Sequence, residues 1–186
     1  MKIFGHRKVE KLWLSQEAYV ERVLEIFNMS KAKSVCSPLV VHFKLSCKYC
    51  PISEKEKQKM KGVSYASAVG NLMNDIVCTR PDIAHAVGVV SQFLSNPGKD
   101  HLAAIKWFLK YLRGTSKACL CFGSDKHVLQ VCTDVDMTMD VDFRKFLLGY
   151  LFTFVGGAVS WQSRLQQCIA MFTIEEEYIA ITEGCK

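Results

Sequence analysis

Nowhere does this chain carry a run of 18 apolar residues, which excludes a conventional transmembrane helix. Its first residues, Met1-Lys2-Ile3-Phe4-Gly5-His6-Arg7-Lys8, turn charged too soon to hold the apolar core of a signal peptide. Internal repeats and low-complexity tracts are also missing. Nine cysteines are present, but an odd and scattered set does not make a disulfide framework, and it points to a reducing compartment. An intracellular protein, cytoplasmic or nuclear and without a membrane partner, is therefore expected. Cys47-Lys48-Tyr49-Cys50 has the spacing of half a zinc site, yet no second pair or His-x₃₋₅-His completes it.

What the chain does have is apolar content and an uneven charge. At 186 residues and 49% hydrophobic, it can build one or two small domains with a real core. The net charge of +6 divides unevenly: residues 1–128 hold 20 Lys/Arg against 10 Asp/Glu, and residues 129–186 hold 4 against 8. A basic segment suits the phosphates of a polyanion, and an acidic one can hold metal ions. The competing reading is a solvated surface.

Periodicity divides the chain somewhat earlier, at Gly114. Leu12–Gln16 reads as a short strand or turn before a helix capped by Ser15, with Val20, Val23, Leu24 and Phe27 on one face. Residues 30–62, including the Lys/Glu run at 54–61, read as a loop with an extended piece near Pro38–Phe43. Three helices follow. The first buries Tyr65, Val69, Leu72, Met73 and Ile76. The second starts at Pro81 behind Arg80, buries Ile83, Val87, Val90 and Leu94, and ends at Asn96-Pro97-Gly98. The third, capped by Asp100 and stopped by Gly114, turns Leu102, Ile105, Phe108, Leu109 and Leu112 inward and Lys106, Lys110 and Arg113 outward. Beyond Gly114 the period becomes that of strands: Ala118–Phe122, Val128–Thr133, Gly149–Val155 and Ala158–Trp161, with a hairpin turn at Gly156-Gly157 and a closing helix over Ile174–Thr182.

Acidic residues mark two of these elements. Asp134 and Asp136 end a strand and share a side if the extended backbone continues. Glu175, Glu176 and Glu177 open the last helix. A glutamate facing Asp134 would suit a hard ion such as Mg²⁺, and two such ions can drive phosphodiester cleavage. Taken by residue type alone, acids at a strand end or helix N-terminus are more often caps and solvated charges. Lys106, Lys110 and Arg113 are candidates for phosphate contacts, or a solvated helix face. Trp107, Phe108 and Tyr111 could stack on bases, though that spacing is also a core pattern. His85 and His101 lack a partner at ligand spacing, so surface or capping roles are expected.

Several motifs carry a resemblance that residue types alone do not. They are Leu12-Trp13-Leu14-Ser15-Gln16 with Tyr19, Phe27-Asn28-Met29, Tyr65-Ala66-Ser67-Ala68-Val69-Gly70, Cys78-Thr79-Arg80-Pro81-Asp82-Ile83-Ala84 and Tyr111-Leu112-Arg113-Gly114-Thr115. Thr133-Asp134-Val135-Asp136, Gly149-Tyr150, Ser160-Trp161 and Glu177-Tyr178-Ile179-Ala180 continue the series. In this order and spacing the chain resembles, from Leu12 to its end, the plant copia-type LTR retrotransposon Pol polyprotein. The resemblance implies the end of a reverse transcriptase, its thumb, and the start of a ribonuclease H. In function it implies RNA-templated DNA synthesis and Mg²⁺-dependent cutting of an RNA–DNA hybrid. By motif position, Asp134 matches the first ribonuclease H aspartate and Glu177 the catalytic glutamate, both metal ligands, with Asp136 and Glu175 in support.

The same resemblance implies that the polymerase aspartates precede residue 1 and that two further ribonuclease H aspartates follow Lys186. The motifs also depart from the family pattern. Phe146-Leu147-Leu148 and Phe172-Thr173-Ile174 replace hydroxyl-rich stretches, and Asn74-Asp75 interrupts an apolar one, where an unpaired buried charge would be costly. The expected fold is α+β: palm-end residues 1–62, a thumb-like three-helix bundle over 63–117, and over 118–186 an incomplete ribonuclease H-like mixed sheet with one helix. The expected function is that of a Pol fragment, inactive alone, whose partners are the hybrid or another nucleic acid and the remaining Pol segments. The alternative is a non-catalytic nucleic-acid-binding module that uses the basic N-terminal segment.

Overall fold

Helices and strands separate into two compact units in the computed structural model, which describes residues 1–39, 45–123, 127–136, 147–165, 175, 178–179 and 181–182. One unit runs from Ser15 to Cys119, together with the first two residues. The other joins Ile3–Leu14 to the chain from Leu120 onward. The chain is α+β, as expected.

The helical unit contains α1 (Glu17–Ile26), α2 (Glu54–Lys61), α3 (Tyr65–Thr79), α4 (Ala84–Ser91) and α5 (Lys99–Gly114). Its core is formed by the periodic residues of the sequence: Val20, Val23 and Leu24 from α1, Tyr65, Val69 and Leu72 from α3, Val87 and Val90 from α4, and Ile105, Phe108, Leu109 and Leu112 from α5. Ile83, just ahead of α4, joins them. The Ser15 hydroxyl accepts from the Glu17 amide at 3.3 Å, but the N-cap position falls on Gln16, one residue later than expected, whose side chain makes no capping bond. At the far end of α1, Asn28 adopts φ 55° and the Met29 amide reaches back to the Leu24 carbonyl at 2.7 Å. Asparagine tolerates that left-handed position, and this explains a helix stop within Phe27-Asn28-Met29.

Several expectations need correction. The Lys/Glu run is a helix, α2, and not a loop. It lacks apolar periodicity because none of its described side chains is buried, and acids in its first turn and a Glu54–Lys57 pair at 3.0 Å support it instead. The buried stripe of α3 passes through Asp75, and Met73 is exposed. A short 3₁₀ turn over Pro81–Ile83 precedes α4, which stops at Ser91 and leaves Leu94 40% exposed. α5 begins at Lys99 and not behind an Asp100 cap: the Gly98 amide donates to His101 Nδ1 at 2.8 Å. Its C-cap is Thr115, one residue past Gly114. Of the extended piece expected near Pro38–Phe43, residues 40–43 lie outside the described residues.

The strands form two three-stranded sheets, ordered β1 (Lys2–His6), β2 (Lys11–Ser15), β3 (Cys119–Phe122), and β4 (Leu129–Asp136), β5 (Leu147–Phe154), β6 (Gly157–Leu165). β1 had no sequence signal, since all five of its residues are exposed. Where a mixed sheet was expected, the described strands β4–β6 pair antiparallel throughout. Gly123, at φ 100°, lies so close to the Glu10 carbonyl that a Cβ would fall 1.9 Å from its oxygen. Only glycine fits there.

The β5–β6 hairpin turns one residue earlier than expected. Phe154 pairs with Gly157, so Val155 and Gly156 form a two-residue loop at φ 52° and 78°. Two successive positive φ values are the signature of a type I′ turn, which favours Asn-Gly and strains a β-branched residue. Val155→Asn is therefore expected to stabilise the chain by about 1 kcal/mol. Thermal denaturation would register this as a higher midpoint. An unchanged or lower midpoint would show that Val155 is not strained.

Candidate nucleic-acid interface and acidic strand

Lys106, Lys110 and Arg113 fall at i, i+4 and i+7 on α5, opposite its buried face, as the periodicity predicts. Their surroundings differ. Lys106 is exposed. Lys110 is half-buried, with its ammonium 5.9 Å from the Trp107 ring centroid, and the Trp107 indole donates to the Ser37 carbonyl at 3.0 Å. That cation–π contact holds the charge near the surface with its stem covered. Arg113 Nε donates to the Ser30 carbonyl at 2.6 Å. It lines an open cleft of about 320 Å³ with Glu21, Leu24, Glu25, Ser30 and Ser116. Two glutamates beside Arg113 reduce its attraction for a phosphate, so the row is most basic at Lys106 and Lys110.

The aromatic residues beside this row have structural tasks. Phe108 is fully buried. The Tyr111 hydroxyl donates to Asp82 Oδ2 at 2.8 Å. Base stacking by these two is not supported. His101, for which a surface or capping role was expected, caps α5 but is fully buried and stacks on Phe93 at 4.0 Å between ring centroids. His85 is exposed.

Asp82 belongs to a network that the sequence did not announce. Arg80, only 2% exposed, grips it in parallel, Nε to Oδ1 at 2.9 Å and Nη2 to Oδ2 at 2.8 Å. The same guanidinium donates to the Thr115 carbonyl at 3.1 Å and to its hydroxyl at 2.8 Å. The end of α5 is thus tied to the start of the 3₁₀ turn. Burial pushes the Asp82 carboxyl up, but bonds and charge from Arg80 and a bond from Tyr111 outweigh it and hold the group below the usual carboxylate range. Burial likewise lowers the Arg80 guanidinium, and its bond to Asp82 more than reverses this. Burial and the neighbouring Asp82 both raise the Tyr111 phenol. The two-residue separation of Asp82 from Arg80 was the available clue to the pair.

Asp75 is the opposite case. It is 0% exposed, and neither carboxyl oxygen has a hydrogen-bond partner among the described residues. Burial raises its pKa to about 6, with the Arg80 charge opposing only in part. Nearby, the Thr79 hydroxyl donates to Gln16 Oε1, both side chains buried.

On the acidic strand, β4 runs unbroken through Asp136. Asp134 stands opposite Gly149 and Asp136 opposite Leu147. The extended geometry does continue, so the two positions share a face of the sheet. Two carboxylate-bearing positions on one face fit a hard divalent ion in donor chemistry. Glu175 is helical and exposed. Glu177 lies outside the described residues, so its approach to Asp134 does not enter the geometry. Among the described residues there is no cluster of three or more His, Cys, Asp or Glu that could hold a metal. No described helix is long and apolar enough to cross a membrane.

Comparison with known proteins places the whole chain in one context. It is 62% identical over 186 residues to the retrovirus-related Pol polyprotein from transposon TNT 1-94 of Nicotiana tabacum, covering all of this chain and 14% of that protein. It is 32% identical over 171 residues to the corresponding polyprotein from transposon RE1 of Arabidopsis thaliana, 91% of this chain and 11% of that protein. It is also 46% identical over 128 residues to the secreted RxLR effector protein 161 of Plasmopara viticola, 67% of this chain and 89% of that protein. The chain thus spans only a small part of the two polyproteins. No family model and no solved structure matches it.

Proposed function

The chain belongs to the retrovirus-related Pol polyprotein family of copia-type transposons, and we propose that it joins the thumb of the reverse transcriptase to the opening strands of the ribonuclease H. In this reading the palm ends within residues 1–62, α3 to α5 act as the thumb over 63–117, and residues 118–186 begin the nuclease. The nucleic-acid partner is an RNA–DNA hybrid, which is backbone charge to this protein more than sequence. The observation that carries the reading is the basic row of α5, with Lys106 and Lys110 on a face the core does not use. Arg113 contributes less, because it is committed to Ser30.

For the nuclease part, Asp134 and Glu177 are the proposed Mg²⁺ ligands and catalytic residues, with Asp136 and Glu175 beside them. When bound, Mg²⁺ would supply charge neutralisation at the scissile phosphate. Asp134 itself is set at its place by antiparallel pairing with Gly149, so β5 fixes where the carboxylate stands along the strand. Both edges of this three-stranded sheet are available among the described residues, and Leu129 and Val131 of β4 are exposed. That fits the remaining Pol segments as further partners. The same reading places the chain inside the cell.

Two carboxylates fall short of a full two-metal set, so the chain alone is expected to bind hybrid without cutting it. The test is cleavage of a labelled RNA–DNA hybrid with Mg²⁺, beside an Asp134→Asn control. The expected result is no cleavage by either protein. Cleavage that disappears in Asp134→Asn would overturn the inactive reading and make this segment a working nuclease. A second reading, a purely nucleic-acid-binding module that uses the basic N-terminal segment, draws support from the 20 Lys/Arg against 10 Asp/Glu in residues 1–128. Under that reading binding would be independent of Mg²⁺.

A further inference from the structure

Cys47 and Cys50, left over from the zinc pattern, occupy a specific local geometry. Cys47–Tyr49 is a single 3₁₀ turn, and the Cys50 amide closes it on the Cys47 carbonyl at 3.0 Å. In such a turn the Cα atoms of i and i+3 lie within about 7 Å, and their side chains eclipse one above the other. Cys50 keeps a helical φ of −70° and leaves the turn only through its ψ of 142°, so its Cβ still follows the helical direction. A disulfide needs Cα atoms roughly 4.4–6.8 Å apart. The hydrogen bond that closes this turn holds the two cysteines on one side of it, where a modest change of side-chain rotamer and of the ψ at Cys50 brings the sulfurs together.

The turn is also held from several sides, which limits the freedom lost on closing a ring. The Ser46 hydroxyl accepts from the Lys48 amide at 3.2 Å. Gly98 approaches so closely that a Cβ there would sit 2.0 Å from the Tyr49 carbonyl oxygen. The Asn96 side chain donates to the Pro51 carbonyl at 3.3 Å. Cys50 is half-buried against the helical core, while Cys47 is exposed. Cys47 is thus the more accessible of the two to a reagent in solution.

We propose that Cys47 and Cys50 form a redox-active dithiol that a low-molecular-weight disulfide, of the glutathione class, converts reversibly into an intra-turn disulfide. The exposed Cys47 thiolate attacks one sulfur of the small disulfide, forming a mixed disulfide and releasing one small thiolate. The Cys50 thiolate then attacks the Cys47 sulfur, forming the intra-turn bond and releasing the second. Two protein thiols are oxidised and one small disulfide is reduced to two thiols, so electrons and protons balance. Cys119 and Cys121 are a useful contrast. They lie two residues apart on β3, where the strand rises between them and no turn brings their Cβ atoms together.

The experiment equilibrates the full chain in glutathione buffers of increasing oxidation, blocks free thiols with iodoacetamide, and maps peptides after trypsin. Trypsin cuts after Lys48, between the two cysteines, so an intra-turn bond leaves two fragments joined. The expected result is that these fragments become linked at a glutathione ratio at least tenfold more reducing than any ratio linking Cys119 to Cys121. In Cys50→Ser, which removes the second thiol, a stable glutathione adduct should accumulate on Cys47. Cys47 and Cys50 both alkylated in oxidised buffer would overturn the proposal. So would a persistent adduct on Cys47 of the unmodified chain, or a bond from either cysteine to a different one.

Discussion

Asp82→Ala is expected to lower the stability of the helical unit by about 3 kcal/mol, the low end for breaking a buried ion pair. The low end applies because the Asp82 side chain is 41% exposed, while that of Arg80 is only 3%. Removing the acid strands a guanidinium that water cannot reach. The Tyr111 hydroxyl also loses its acceptor. Arg80→Met should cost less, roughly 1–2 kcal/mol, because it removes the buried charge and leaves Asp82 partly solvated. A unit of this size loses about 4–8 °C of midpoint per kcal/mol. Melting curves followed by helix ellipticity would therefore place Asp82→Ala well below Arg80→Met. The reverse order would mean that the carboxylate is not what keeps Arg80 in the interior.

Asp75 should produce the second large effect, with the opposite pH dependence. Its pKa is about 6 in the folded chain against an ordinary value of 3.8, so the folded state holds the proton more tightly. Stability is then full below pH 4 with respect to this group and falls as pH rises through 6. The total loss is about 3 kcal/mol at neutral pH, at 1.36 kcal/mol for each unit of displacement. Asp82 acts the other way. Its pKa is depressed, so its contribution is present above the ordinary carboxylate range and is lost as the pH falls through its lowered value. With respect to these two groups, the stability of the chain is greatest between the ranges in which each is lost, near the ordinary carboxylate value.

Asp75→Asn removes the charge but leaves a buried amide that still lacks partners. It should therefore recover only about 1–2 kcal/mol at pH 7.5. The diagnostic feature is the flattening of stability between pH 4 and 6. Urea titrations at a series of pH values would show it. A slope that survives in Asp75→Asn would assign the proton to a different group.

Asp75 also illustrates what the sequence made legible. The apolar faces of α1, α4 and α5 came directly from 3.6-residue spacing, because Val20, Val87 and Leu109 have no other use for their side chains. On α3 the same logic placed Met73 inward, since periodicity counts apolar residues and cannot see a carboxyl taking a core position. The cost of a buried Asp75 was foreseeable, but the stripe on which it falls was not. α2 was hidden for the converse reason, as a helix whose only apolar residue is Met60 carries no periodic signal. The β5–β6 hairpin was read in the right place but one residue off, because Gly-Gly hides which glycine takes the positive φ, and here Val155 shares it with Gly156.

The candidate site was legible unevenly. The outward row of α5 followed from spacing, whereas the engagement of Arg113 with Ser30 joins residues 83 apart and leaves no local trace. The Arg80–Asp82–Thr115 network is similar. Its first pair is local, but its anchor on Thr115 is 35 residues away and needed the packed helices. Asp134 and Asp136 could be placed on one face from strand alternation alone, and β4 keeps that geometry.

Hybrid binding by the basic face of α5 is tested most directly by a salt titration of affinity for an RNA–DNA duplex. The unmodified chain is compared with the Lys106→Ala/Lys110→Ala double variant. Each lost phosphate contact removes about 0.7–0.9 from the slope of log affinity against log salt. The expected result is a steep slope for the unmodified chain and one shallower by about 1.5 for the variant, with unchanged melting. Equal slopes for the two proteins, or no salt dependence in either, would contradict a nucleic-acid interface on this helix.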